Sequence, residues 1–120
     1  MSHLQQNQSI HTGMENTTGT SPTVTLPPGV DVMTIWINIS AFSATSIQFT
    51  VQAIDPFAGG VVGLLTTTTI TGTGERQLFL GPPFAPVANQ AAQVMVPGQF
   101  NVRWIITGAG SVTFSVVAEY

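Results

Sequence analysis

The sequence predicts an all-β protein: a single antiparallel β-sandwich of six to eight strands, Ig-like or jelly-roll-like, with an extended N-terminal arm. Three observations predict it. From Thr23 onward apolar and polar residues alternate with period two, the spacing that lines up side chains on one face of a strand. Gly/Pro clusters interrupt the alternation at short intervals, where turns call for glycine's positive φ or proline's missing N–H. The length of 120 residues suits one domain with its own core, and two packed layers are how strands of this kind bury their apolar faces.

Residues 1–20 lack that period. They are polar, rich in Gln, Asn, Thr and Gly, and read as an arm preceding a sandwich domain at 21–120. Leu4, Ile10 and Met14 are its apolar anchors. Two readings are open for it: a loose tail, or an arm that orders on a neighbouring subunit.

Thr23 to Leu26 is a short strand ended by Pro27-Pro28-Gly29. Asp31 to Ala41 is the clearest strand, with Met33, Ile35, Ile37 and Ile39 on one face and Val32, Thr34, Trp36, Asn38 and Ser40 on the other. The first face is core, each residue worth about 1.5–3 kcal/mol on full burial. Ser46 to Ile54 repeats the pattern, with Ile47, Phe49, Val51 and Ala53 inward. Asp55-Pro56 and Gly59-Gly60 mark a loop. Val61 to Ile70 is a strand ending in a threonine run, whose β-branched side chains favour extended backbone. Gly72-Thr73-Gly74 reads as a hairpin loop leading into Arg76 to Leu80. Gly81 to Gly98, with four prolines, is long for a structureless connection; Ala88 to Val94 could form a helical turn within it. Gln99 to Thr107 and Ser111 to Glu119 are strong strands, and Gly108-Ala109-Gly110 joins them as a hairpin.

Charge is the compositional outlier. Two arginines, no lysine and five acids make 6% of the chain, against about 25% in an ordinary soluble domain. The net charge is -3 and the pI near 4.9. Nucleic-acid binding needs clustered Lys and Arg and a polybasic membrane patch needs the same, so neither partner is expected. The N-terminus lacks the basic and apolar regions of a secretory signal, and no apolar run approaches the ~18 residues of a membrane span.

Catalytic chemistry is not expected either. There is no cysteine, hence no disulfide, thiolate metal site or cysteine nucleophile. His3 and His11 fall in the arm at a spacing that fits no zinc motif. Asp31, Asp55, Glu75 and Glu119 are scattered, and no G-x-S-x-G, P-loop or calcium-loop motif occurs. No catalytic residue, metal ligand or cofactor is expected. The sequons at Asn7, Asn16 and Asn38 are what chance supplies in a chain so rich in Asn, Ser and Thr.

Interaction residues are more legible. Trp36 falls on the polar face of its strand, either under a loop or as an interface anchor, a residue type enriched at hot spots. Arg103 faces away from Phe100, Val102, Trp104 and Ile106. It is either held by an acid such as Glu119 or an aromatic ring, or free to form an inter-subunit ion pair or hydrogen-bond fork. Phe57, Phe84, Val87, Met95 and Val96 lie in loops, where they either cap the sandwich or fill an interface.

From Thr23 onward the chain resembles the small all-β virion proteins of tailed bacteriophages, most of all the capsid (head) decoration proteins. The resemblance is carried by Val24-Thr25-Leu26-Pro27-Pro28-Gly29, Gln52-Ala53-Ile54-Asp55-Pro56, Ile70-Thr71-Gly72-Thr73-Gly74, Leu80-Gly81-Pro82, Val102-Arg103-Trp104-Ile105-Ile106-Thr107-Gly108 and Ser111-Val112-Thr113-Phe114-Ser115-Val116. It implies a non-enzymatic protein made in the host cytoplasm and bound to the outer capsid surface of the virion. The implied partners are the major capsid protein and other copies, as a homotrimer, with capsid stabilisation as the role. The alternative is a minor tail or head-fibre component with a receptor- or glycan-binding role, in which Trp36 and loop Asn, Gln and Asp would meet the ligand.

Overall fold

Met33, Ile35, Ile37 and Ile39 are all buried, while of the residues alternating with them Thr34 is half-buried and Trp36, Asn38 and Ser40 are exposed. The computed structural model describes residues 6–120. Its strands are β1 (Asn7–Glu15), β2 (Gly19–Thr20), β3 (Val24–Thr25), β4 (Met33–Phe42), β5 (Ser46–Ile54), β6 (Val61–Thr66), β7 (Gly74–Leu80), β8 (Ala91–Ala92), β9 (Gln99–Thr107) and β10 (Val112–Glu119).

The strands form two sheets. One has the order β1-β10-β4-β7-β8; the other has β2-β9-β5-β6, with β3 also on β9. All pairings are antiparallel except β7 with β8. The chain passes from one sheet to the other at six of its nine connections, staying in the same sheet at β2–β3, β5–β6 and β7–β8. With eight principal strands (β2 and β3 counting as one interrupted strand, and the two-residue β8 set aside), this is the order of a jelly roll. Of the two sandwich types the sequence allows, the jelly roll is the one that forms. Phe49, Phe100, Phe114, Leu78, Leu80 and the β4 isoleucines fill the space between the sheets.

Two expected hairpins are corrected. β6 and β7 lie in different sheets, as do β9 and β10, so residues 67–73 and 108–111 cross the sandwich instead of returning beside the preceding strand. Glycine allows both geometries. In the second crossing Gly108 and Gly110 have φ of 85° and 116°, and a Cβ on either would run into Thr45 or Ser43. Ser43 and Ser111 bind this connection to the one before β5: Ser43 N donates to Ser111 O at 2.8 Å, and Ser111 N donates to Ser43 Oγ at 2.9 Å.

The threonine run and the proline-rich segment also differ from expectation. β6 stops at Thr66. Thr67 turns its hydroxyl inward and accepts from Phe49 N at 3.1 Å, while its own N–H donates to Phe49 O at 2.9 Å. The side chain thus replaces a ladder bond that the bending backbone gives up. Residues 88–94 form no helical turn. Ala91 and Ala92 make a two-residue parallel strand on β7, anchored by Phe79 N to Gln90 O at 2.9 Å and Gly81 N to Ala92 O at 3.1 Å.

The largest correction is the arm. Asn7–Glu15 is an edge strand of this same domain, paired along its whole length with β10, and the boundary at residue 20 does not exist among the described residues. A β-bulge explains why the sequence conceals it. Ser9 pairs with Val117 and His11 with Val116, leaving Ile10 unpaired. The bulge turns both Ile10 and His11 toward the interior: inward positions are even-numbered before it and odd-numbered after it. Leu4 lies outside the described residues, as does His3.

Candidate functional site

The topology sorts the connections between the two ends of the sandwich. Residues 16–18, 43–45, 67–73 and 108–111 share one end. Residues 26–32, 55–60 and 81–98 share the other, beside Gln6 and Tyr120. Most of the solvent-facing apolar side chains gather at this second end. Phe57 is 98% exposed at the β5–β6 turn and Met95 is 83% exposed before β9. Val61, Val62 and Val32 are also exposed there. The Asp55 carboxylate accepts from Phe57 N at 2.8 Å and Gly59 N donates to Asp55 O at 2.9 Å. These bonds hold the turn so that the Phe57 ring projects away from the body. A groove of about 680 Å³ opens beside the loops, lined by Pro27, Pro28, Val32, Pro83 and Tyr120 with the carboxylates of Asp31 and Glu119.

Not every residue expected at an interface is on the surface. Ile10 is 8% exposed and belongs to the core, a correction that follows from the bulge. Phe84 is half-buried against Phe79, ring centroids 5.5 Å apart. It covers the outward side of β7 and so caps the sandwich. Val87 is exposed at a turn closed by Ala91 N to Val87 O at 2.9 Å. Met14 is exposed near the end of β1.

Trp36 and Arg103 occupy the outer faces of opposite sheets. Trp36 is exposed on β4, between Val117 of β10 and Gln77 of β7. Its diagonal neighbours are Glu119, opposite Thr34, and Glu75, opposite Asn38. Arg103 is exposed on β9, between Thr20 of β2 and Thr50 of β5. Glu119 belongs to the other sheet and does not hold it. Among the described residues the one ion-pair contact is His11 with Glu15, at 3.9 Å.

His11, expected in the N-terminal arm, is packed between aromatic rings of the sandwich itself. Its ring lies 4.4 Å from Phe114 and 4.7 Å from Trp104. Trp104 in turn donates its indole N–H to Thr17 O at 3.1 Å. No group of three or more His, Asp or Glu able to hold a metal ion occurs among the described residues.

No family model matches this sequence, and no curated protein matches it. Among solved structures the chain is similar to the crystal structure of SPBc2 prophage-derived protein YomS, with a TM-score of 0.54 and 14% identity, over 97% of this chain and 93% of that one. At that identity the likeness establishes the fold.

Proposed function

We propose that this protein is a non-enzymatic structural component of a tailed-bacteriophage particle. In this reading it decorates the outer surface of the capsid, binding the major capsid protein and neighbouring copies. The observation that carries the reading is the loop end of the sandwich, where Phe57 and Met95 stand exposed at the same end as exposed Val32, Val61 and Val62. Aromatic and methionine side chains held out on a rigid body are what interface cores are enriched in, and a shell surface would cover them. The sparse charge fits the same setting, because densely arrayed copies with few charges do not repel one another. The fold shared with a prophage-derived protein over nearly the whole chain agrees with a phage origin.

The role would be mechanical. Each copy bridges adjacent capsid subunits, and many modest contacts sum through multivalency. Mass spectrometry of purified particles tests it: many copies per virion are expected, and absence from particles, or a few copies each, overturns it.

A further inference from the structure

The two outer faces of the sandwich differ in charge and chemistry. On the β2-β9-β5-β6 sheet, Arg103 is the only charged residue in any strand, and it stands among Thr20, Thr50, Asn101 and Ile105. On the other sheet Trp36 stands at the centre of the face with Glu75 and Glu119 at opposite diagonals. The one arginine of that sheet, Arg76, pairs with inward-facing Ile37 and so lies on the opposite side from Trp36, and His11 of β1 is turned to the interior. Among the described residues, one face therefore offers a guanidinium with no acid beside it, and the other an indole flanked by two carboxylates with no base beside it.

We propose that these faces bind each other between copies, the Arg103 guanidinium of one copy lying on the Trp36 ring of the next. A planar guanidinium can stack on indole while forking to a carboxylate, and Glu75 on one diagonal of Trp36 or Glu119 on the other is the carboxylate such a fork would take. The surrounding Thr, Gln and Asn side chains exchange hydrogen bonds at little desolvation cost. The contact is heterologous. Because the faces look in opposite directions, copies add head to tail, which departs from the closed homotrimer implied by the resemblance. The contact stands apart from the capsid reading, since purified protein without any particle suffices to test it.

The test is sedimentation velocity over a concentration series with the full chain. Wild type forms head-to-tail oligomers, weakened by added salt. Trp36→Ala and Arg103→Ala each raise the dissociation constant at least about tenfold, the scale of a desolvated cation–π contact. An equimolar mixture of the two variants forms a one-to-one heterodimer, because each supplies the face the other lacks. Thermal melts matching wild type confirm that both variants fold; if either does not, the double variant Glu75→Gln/Glu119→Gln gives the same weakening without touching the ring or the arginine. Wild type that stays monomeric to about 1 mM, the weak end of specific association, overturns the proposal. So do variants that associate like wild type, or a mixture that stays monomeric.

Discussion

The imidazole of His11 stacks on the ring of Phe114, centroids 4.4 Å apart and planes inclined by 28°, and so fixes the first strand to the last. Nε2 of His11 is buried with no hydrogen-bond partner; the Glu15 carboxylate, at 3.9 Å, is beyond hydrogen-bond reach.

His11 accordingly contributes by packing. His11→Ala removes contacts with two rings and leaves a cavity, and should destabilise by about 1–3 kcal/mol. His11→Phe keeps the stacking and removes the unpartnered nitrogen, so it should be neutral or stabilising. Chemical denaturation of the three proteins checks both signs.

Deleting residues 1–20 should abolish cooperative folding. The deletion takes away β1 and β2, exposes one edge of β10 and empties the positions of Ile10 and His11. A sigmoidal melt and dispersed amide spectrum from the truncated chain would contradict this.

Gly110→Ala should destabilise by about 2 kcal/mol or more, from its positive φ and the collision of the new Cβ with the Ser43 carbonyl. Gly60→Ala, where nothing lies near the added Cβ and φ is not in the left-handed region, should change stability by less than about 0.5 kcal/mol. The difference between the two melting temperatures is the measurement.

Ser21→Ala and Thr67→Val should each cost about 1–3 kcal/mol. Ser21 Oγ accepts from Val102 N at 3.0 Å where β2 gives way to β3, and Thr67 Oγ1 accepts from Phe49 N. Each substitution leaves a buried backbone N–H without an acceptor. Urea titrations with unchanged m-values would show that stability, not compactness, has changed.

Phe57→Ser with Met95→Ser should leave the melting temperature within about 2 °C of wild type, because both side chains lie outside the core. Binding to particles depleted of the protein should fall at least about tenfold, as for an interface anchor. Undiminished particle binding by this folded variant would remove the loop end from the proposed contact.

The regular interior strands were legible in the sequence because their period holds over most of their length: β4, β5, β9 and β10 present their apolar residues mainly at every second position. β1 was not, because the bulge at Ile10 changes which positions face inward, and because Gln8, His11 and Gly13 occupy half-buried sites that hydropathy reads as solvent-exposed. The crossings after Thr66 and Thr107 were concealed for another reason. Glycine marks a change of direction without saying which sheet receives the next strand. At the surface, Phe57 and Met95 stood out as apolar residues in turns. The relation of Trp36 to Glu75 and Glu119 was not readable, since it depends on the register of three strands far apart in sequence.

β10 is the final strand of the described chain, yet it lies inside its sheet, between β1 and β4. As the polypeptide emerges from the ribosome, β1 has no partner strand and β4 has a vacant side until β10 arrives, so this sheet closes after synthesis has passed Glu119. Pairings such as Asn7 with Glu119 join opposite ends of the chain, and such long loop closures place folding toward the slow, millisecond-to-second end of the range for small domains. During that interval one backbone edge of β4 is unpaired, a window in which nascent copies would be exposed to chaperones and to one another.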